Sequence, residues 1–289
     1  AEHVGGAQAV VIDATAHDLG LGDRAVSAVV VFYMDHALAG LRFAQARGVP
    51  HLSISSGVFE IAPEIALYMH TPNAAPIVLG YEWMAGATTV ATLSIAKPFA
   101  RVRDIRIHAL VDEQDTGGPT VATDFEHLNN MLPAALTRRD GVFTWRDGQE
   151  AEARFRALDG TEIDARGFSS IDVVGLAAAT GAANVQFNLA TAVSSSRRQG
   201  LPMSTEIILE LEGEDAQGHS LQTRHALIHP AGAAPLTGLS VALLLERLLG
   251  LDGQPATPPG LYFPYQLLDA ATYLQRLKQE GGELRELHQ

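Results

Sequence analysis

Three side chains in the N-terminal third of the chain could exchange a proton with a bound molecule near neutral pH. His36, Tyr81 and Glu82 each follow a short apolar run, and the loops after such runs converge at one edge of a parallel sheet. His, Glu and Tyr commonly act as general acids or bases. We therefore predict that these three are the candidate catalytic residues. A structural interpretation stays open, in which His36 begins a helix and Tyr81 packs the crevice.

Small and polar residues in the same loops could hold a nucleotide or its ribose. Backbone amides, hydroxyls and carboxylates beyond the carboxyl ends of parallel strands are typical of such sites. The predicted cofactor-binding residues are Asp13, Ala14, Met34, Asp35, Ser55, Ser56, Gly80 and Gly86. The alternative is that the Asp and Ser side chains only cap the helices that follow them.

Other motifs that carry chemistry are absent or weak. The sequence contains no G-x-G-x-x-G turn, no Walker loop and no G-x-S-x-G elbow. His225 and His229 would share one face of a strand, but no third metal ligand stands at a suitable spacing, which favours a structural or substrate-facing role. Arg197 and Arg198 could clasp a carboxylate, although a solvated hairpin tip is the simpler interpretation.

The apolar runs that precede the polar loops predict the strands of a parallel sheet. They are short and β-branched, and they lie at residues 9–12, 29–32, 52–54 and 76–79. Helix-like stretches at residues 37–47 and 59–70 stand between them. Strands that alternate with helices indicate β-α-β units, so the carboxyl ends of these strands should meet at one edge.

From residue 102 onwards, apolar and polar residues alternate, which is typical of an antiparallel sheet with one face open to water. The strands on either side of residues 214–218 should form a hairpin. Helices at residues 123–136 and 172–180 would cover one face of this sheet. The side chains predicted to pack on those helices are Val185, Phe187 and Leu189, and those predicted to point outward are Asn184, Gln186 and Asn188.

After residue 230 the pattern is helical again, with an apolar helix at 239–249 and a last helix near 269–280. We therefore predict an α/β protein with a partial Rossmann-like parallel sheet and an inserted α+β antiparallel-sheet domain. The predicted domains are residues 1–101, 102–230 and 231–289, the last returning helices to the first. Because two helices cover only one sheet face, we also predict a homodimer formed through the outer face or an edge.

The composition excludes several classes of partner. Twenty Lys and Arg against 33 Asp and Glu give a net charge of −13, which repels phosphate backbones and anionic membranes. We therefore predict no nucleic-acid partner and no membrane partner. The absence of cysteine excludes a disulfide framework, a thiol nucleophile and a Cys-ligated zinc. We expect a cytoplasmic protein whose partner is a small-molecule substrate.

Five short segments match the pattern of a known enzyme family: Gly48-Val49, Leu79-Gly80, Gly86 with Thr88, Leu236-Thr237-Gly238 and Pro258-Pro259-Gly260. With these segments, the chain from about Ala9 to Gly281 resembles the saccharopine dehydrogenase-like oxidoreductases. The sequence departs from the family pattern at several places: Ser53 stands where Asp is usual, Ala85 where Pro is usual, and Thr89 where Asn is usual. The strand before Met34-Asp35 also lacks the Asn and the Gly-Pro of the family.

The resemblance implies a hydride-transfer enzyme that uses NAD or NADP and acts on a C–N or C–O centre of a small metabolite in an interdomain cleft. It also implies that the chain begins partway into the nucleotide-binding domain. Cofactor binding is therefore expected only with an N-terminal strand and glycine turn that this sequence lacks. The alternative is a non-catalytic small-ligand-binding or regulatory module with the same two-domain shell.

Overall fold

The computed structural model describes residues 5–54, 61–117 and 134–287. Within these ranges the strands are β1 Val29–Val31, β2 His51–Ser53, β3 Pro76–Leu79, β4 Arg101–Asp112, β5 Ala135–Arg139, β6 Val142–Arg146, β7 Glu152–Arg156, β8 Glu162–Gly167, β9 Asn184–Ala192, β10 Thr205–Glu214, β11 Ser220–His229, β12 Gly260–Tyr262 and β13 Glu283–Glu286. The helices are α1 Ala39–Arg47, α2 Ile61–His70, α3 Ala87–Ile95, α4 Asp172–Thr180, α5 Ser195–Arg198, α6 Ala234–Leu248 and α7 Ala270–Gln279.

The smaller sheet is parallel throughout, in the order β1-β2-β3-β12. Helices α1 and α2 connect its first three strands, and β12 joins it from near the C-terminus. All residues of β2 and β3 are buried, as expected for a parallel sheet covered on both faces. The predicted α/β class with a Rossmann-like parallel sheet is confirmed, and the carboxyl ends of β1, β2 and β3 lie at one edge.

The strand predicted at residues 9–12 is wrong. Residues 7–13 form no strand, and Val11 is 91% exposed. Leu19 instead anchors the segment by packing on Ala39 and Phe43 of α1. A four-residue apolar run is compatible with a strand but does not establish one, because a strand also needs a hydrogen-bonded neighbour.

The larger sheet is mixed, in the order β13-β11-β10-β4-β9-β5-β6, and a hairpin of β7 and β8 branches from β9. Its described pairs are antiparallel except β4 and β9, which run parallel. The predicted hairpin is confirmed: β10 and β11 pair from Thr205 with His229 to Glu214 with Ser220. The sheet predicted to be antiparallel is therefore mixed, because it includes this one parallel pair among the described strands.

The prediction of which side chains of β9 are buried and which are exposed is correct for one face of the strand only. Val185 and Phe187 pack in the core with Val173 and Leu176 of α4, as predicted. Asn188, predicted to point to solvent, is fully buried. The reason is that β7 and β8 cover this face, where apolar residues of the hairpin pack against β4, β9, β10 and β11.

The helix predicted at residues 123–136 lies largely outside the described residues, but its end is wrong. Ala135 and Leu136 belong to β5, which pairs with β6. Asp140 and Gly141 connect the two strands with φ of 50° and 81°, the positive values of a type I′ hairpin turn. The predicted helix at 172–180 is confirmed as α4. The predicted last helix is confirmed as α7, with Asp269 accepting from the Thr272 backbone N–H at 2.8 Å.

One hydrophobic core runs between the two sheets. It contains Leu52 and Val78 of the parallel sheet, and Ile107, Phe187 and Leu209 of the mixed sheet, with apolar residues of α3, α4, α6 and α7 between them. The two sheets are therefore joined by shared packing. Among the described residues, no helix has the length and apolarity needed to cross a membrane.

Candidate functional site

The loop after β3 brings the two sheets together and contains two glycines that packing requires. Gly80 lies so close to β2 that a Cβ there would stand 2.5 Å from the Ser53 carbonyl oxygen. Gly86 has φ of 98°, and a Cβ there would collide with Pro264. Both glycines were predicted to bind a cofactor. Close packing and backbone geometry already explain why neither carries a side chain.

Asp172 lies fully buried in the first turn of α4 and is held by several donors. Its carboxylate accepts from the Trp83 backbone N–H at 2.6 Å and from the Thr89 hydroxyl at 2.8 Å. The Ser170 hydroxyl also donates to it. Burial raises the pKa of Asp172, and these donors oppose the rise. Asp172 was not a predicted site residue. In the sequence it is only an acidic residue in the first turn of a predicted helix, a position where acidic residues are common.

Glu82 lies beside Asp172 and is only 2% exposed. Its Oε2 accepts from the Tyr265 backbone N–H at 3.3 Å, while Oε1 has no hydrogen-bond partner among the described residues. A Cβ on Gly175 of α4 would lie 2.5 Å from that Oε1 atom. Burial, and secondly the charge of Asp172, raises the pKa of Glu82 well above its usual value. With fewer donors than Asp172, Glu82 is the carboxyl that retains the proton.

Aromatic side chains connect this acid pair to an open cavity. The Trp83 ring lies 5.3 Å from that of Phe168 and 5.4 Å from that of Phe187. Phe168 lines a cavity of about 1070 Å³. The other lining residues lie mainly on β7, β8 and β9 and include Arg154, Asp164, Arg166, Leu189 and Thr191. This volume lies just above the range of about 300 to 1,000 Å³ that is typical of small-molecule sites.

A second polar cluster lies at the carboxyl edge of the parallel sheet. The Tyr81 and Ser53 hydroxyl oxygens are 2.6 Å apart, and Ser53 donates to Glu64 Oε1 at 3.1 Å. All three side chains are buried. Burial lowers the pKa of the neighbouring His51 to about 4, so His51 is neutral at physiological pH. Ser53 and Glu64 were missed as site residues, and the one available signal was Ser53 at a position where the family has Asp.

The structure places the three predicted catalytic residues in different surroundings. Tyr81 and Glu82 are consecutive, yet Tyr81 joins the Ser53 cluster and Glu82 joins Asp172. His36 is exposed just before α1. The structure therefore brings Tyr81 and Glu82 to the junction of the sheets but does not gather all three around one point.

The predicted cofactor residues are dispersed as well. Asp13 and Ala14 lie in an exposed turn, where the Asp13 carboxylate accepts from the Thr15 backbone N–H at 2.9 Å. Asp35 accepts from the Gly40 backbone N–H of α1 at 2.7 Å, which agrees with the capping alternative, and Met34 is half-buried. Ser55 and Ser56 lie outside the described residues.

The two arginines near α5 pair with the protein's own carboxylates. Arg197 lies 2.7 Å from buried Asp112, and the Arg198 guanidinium contacts both carboxylate oxygens of Asp159, at 2.6 and 2.9 Å. The interpretation of a solvated tip is therefore wrong, because these side chains are mostly buried in internal ion pairs. They leave little charge for an external carboxylate.

His225 and His229 lie on β11, and the His229 Nδ1 accepts from the Ala231 backbone N–H at 3.1 Å. That contact is structural, in agreement with the favoured interpretation. In the three described ranges, no group of three or more His, Cys, Asp or Glu side chains is arranged to hold a metal ion.

No protein-family model matches this chain, and no curated protein sequence matches it either. Its fold does match solved structures. The structure superposes on apo saccharopine dehydrogenase (L-Glu forming) from Saccharomyces cerevisiae with a TM-score of 0.60 and 12% identity, over 95% of this chain and 87% of that chain. This match shows a shared fold: a Rossmann-like parallel sheet joined to a separate mixed sheet.

Weaker similarities have TM-scores of 0.38. Dipicolinate-bound dihydrodipicolinate reductase from Paenisporosarcina sp. TG-14 is 11% identical, over 84% of this chain and 74% of that chain. The WlbA dehydrogenase from Bordetella pertussis, solved with NADH and UDP-GlcNAcA, is 12% identical, over 92% of this chain and 81% of that chain.

Proposed function

We propose that this protein is an NAD(P)-dependent oxidoreductase of the saccharopine dehydrogenase-like type. The reaction would transfer a hydride at a C–N or C–O centre of a small metabolite. The observation that carries the proposal is the shared fold with saccharopine dehydrogenase over 95% of the chain. The open cavity on the mixed sheet supports it, because it has room for a metabolite and its lining residue Phe168 contacts Trp83 in the loop after β3.

The acid pair at the junction supplies a candidate proton donor. Reduction of an imine or carbonyl requires a proton at the reacting heteroatom, and a carboxyl that stays protonated near neutral pH can provide it. Burial beside Asp172 raises the pKa of Glu82 well above its usual value, which favours that state. Tyr81 is the second candidate, since its hydroxyl contacts Ser53, which donates to the buried Glu64 carboxylate. His36 is the third and lies at the surface.

The described residues do not form a pyrophosphate site. A dinucleotide phosphate needs free backbone amides at a glycine turn before a helix. In α1 the carboxylate of Asp35 already occupies the Gly40 amide. At α3 a Cβ on Gly86 would collide with Pro264, which packs against that helix start. Tight NAD(P) binding therefore requires residues in addition to those described.

A titration of two chains tests the proposal. The 289-residue chain should bind NADH and NADPH no better than about millimolar, because peripheral contacts must offset the cost of immobilising a flexible ligand. If the gene encodes a strand and a glycine turn before Ala1, a chain extended with them should bind about a hundredfold tighter, from roughly 3 kcal/mol of phosphate contacts. Isothermal calorimetry measures both constants. If the extended chain binds neither dinucleotide, the oxidoreductase proposal is overturned.

The alternative is a non-catalytic module that binds a small ligand, and one observation favours it. The Asp35 carboxylate lies where an anionic ligand would meet the start of α1. If the gene encodes no G-x-G-x-x-G turn before Ala1, or if the 289-residue chain binds a non-nucleotide metabolite at micromolar concentration, this second function replaces the first.

A further inference from the structure

Among the described residues the parallel sheet ends in two edge strands, β1 and β12, which differ in how they are protected. β12 lies between prolines, with Pro258 and Pro259 before it and Pro264 after it. A proline has no backbone N–H, so it limits pairing with a further strand. β1 lies in the run 25–34, which contains neither proline nor a charged residue. β1 is therefore the unprotected edge of this sheet.

The backbone of β1 points alternately towards β2 and away from it. The Val29 N–H and the Val31 carbonyl form hydrogen bonds with the residues that flank β2, at 2.9 and 3.1 Å. Neighbouring residues of a strand direct their N–H and C=O groups to opposite sides, so those of Val30 face the outer edge. No described strand pairs with that edge, and Phe32, which follows β1, is 51% exposed.

A second unpaired feature lies near the N-terminus. Residues 9–12, Ala-Val-Val-Ile, have the β-branched composition of a strand but form none. Val10 is 45% exposed, Val11 is 91% exposed and Ile12 is 49% exposed. No backbone group of these residues forms a hydrogen bond with another described residue. Exposed apolar residues that are grouped in this way are typical of an interaction surface.

Contacts on both sides of this segment hold it to its own chain without using its backbone. Before the segment, the Arg24 guanidinium donates to the side-chain carbonyl of Gln8 at 3.2 Å. After it, the Asp13 backbone N–H donates to the Leu19 carbonyl at 3.1 Å, and Leu19 is buried against α1. The backbone groups of residues 9–12 therefore stay available to another chain.

We propose that residues 9–12 of one chain pair with the β1 edge of a second copy, which returns the same contact. Each parallel sheet gains one strand, and the two reciprocal contacts close a twofold dimer. A second copy fits because every chain presents both the unpaired segment and the unpaired edge that accepts it. Main-chain hydrogen bonds provide the affinity in strand addition of this kind. The inference concerns assembly and does not rest on the proposed function.

Charge agrees with contact at these two places. The net charge of −13 makes two copies of the chain repel each other. Neither residues 5–12 nor residues 25–34 contain a charged side chain. Contact between these two parts of the chain therefore brings no like charges together.

The outer face of the mixed sheet, which the sequence suggested as a dimer contact, is unsuitable. The apolar residues there, including Leu110, Ile208 and Ala226, are already buried beneath the β7–β8 hairpin. A second copy could not reach them without displacing that hairpin. Strand exchange at β1 leaves the mixed sheet unchanged.

Sedimentation velocity on the 289-residue chain, between about 1 and 50 µM, should show a concentration-dependent dimer. Val11→Lys and Phe32→Lys should each weaken the dimer at least about thirtyfold, because each change occurs twice in the interface. Both side chains are exposed within a single chain, so neither change should impair folding, which circular dichroism checks. Leu251→Lys, at an apolar residue that is 72% exposed elsewhere, is the matched control and should leave the dimer unchanged.

Mixing the two variants tests whether the exchange is reciprocal. In a mixed dimer the Phe32→Lys chain still supplies an intact segment and the Val11→Lys chain an intact edge, so one of the two contacts is restored. The mixture should therefore form more dimer than either variant alone at the same total concentration. A monomer at every concentration, a dimer that survives both substitutions, or a mixture without restored dimer would overturn the proposal.

Discussion

Glu82 and Asp172 illustrate how burial divides one proton between two carboxyl groups. Both lie inside the protein, but Asp172 accepts hydrogen bonds from Trp83, Thr89 and Ser170, whereas the donors near Glu82 are the more distant Tyr265 backbone N–H and the Thr89 hydroxyl that Asp172 already engages. The charge therefore settles on Asp172 and the proton on Glu82, and the two titrate as a coupled pair. The sequence showed Glu82 as a candidate, but its partner lies 90 residues away and could be recognised only from the fold.

Glu82→Gln should change how stability depends on pH. Since the pKa of Glu82 is raised in the folded state, only the unfolded chain loses this proton as pH rises above about 5. The unmodified protein should therefore lose stability relative to Glu82→Gln, by about 1.4 kcal/mol for each pH unit until the folded pKa is reached. Urea unfolding at pH 5 and pH 8 measures the difference.

Glu152→Gln is the matched control, because Glu152 is exposed and should follow the unmodified protein at both pH values. The opposite result is that the difference in free energy of unfolding between Glu82→Gln and the unmodified protein is the same at pH 5 and at pH 8. That result would show that Glu82 is ionised in the folded state. The proposed role as a proton donor would then fail as well.

At the scale of elements, the sequence predicted the helices and long strands well because their signals are local. The bounds of α4 match the prediction, and the β10–β11 hairpin was recognised from alternation and a turn. The strand predicted at residues 9–12 failed because its partner strand is a non-local requirement. The β5–β6 hairpin was missed although Asp140-Gly141 is a typical hairpin turn, since the expected helix extended over Leu136.

Gly86→Ala should disrupt the connection between β3 and α3. Its positive φ disfavours any side chain, and the new Cβ would also collide with Pro264, so we expect a loss of about 3 kcal/mol or more. Gly218→Ala separates the two effects. Gly218 has φ of 80° but open space around it, so backbone strain alone should cost about 1 kcal/mol there. Equal losses in urea unfolding would show that Pro264 does not pack against Gly86 as described.

At the scale of the whole molecule, the two sheets share one core. Leu52 and Val78 from the parallel sheet belong to the same apolar cluster as Phe187 and Leu209 from the mixed sheet. The sequence indicated two kinds of sheet, but a change of periodicity shows only that the pattern differs. It does not show whether the parts fold separately.

The shared core predicts that both sheets unfold in a single transition. Trp83 reports on the junction and Trp145 on the edge of the mixed sheet, so Trp145→Phe and Trp83→Phe leave one fluorescent probe in each region. Within each variant, the fluorescence midpoint in urea should coincide with the midpoint from far-UV circular dichroism. Two separate midpoints would show that the sheets are independent folding units.

The packing of Trp83 against Phe168 and Phe187 also limits how the molecule can move. A hinge motion that moved one sheet away from the other would have to separate these rings and expose the apolar surface between them. Exposing apolar surface costs a free energy of about 25 cal/mol for each Å². The two halves are thus expected to stay fixed during ligand entry, with motion confined to side chains and loops around the cavity. A ligand-bound crystal structure should superpose on the free protein as one rigid body.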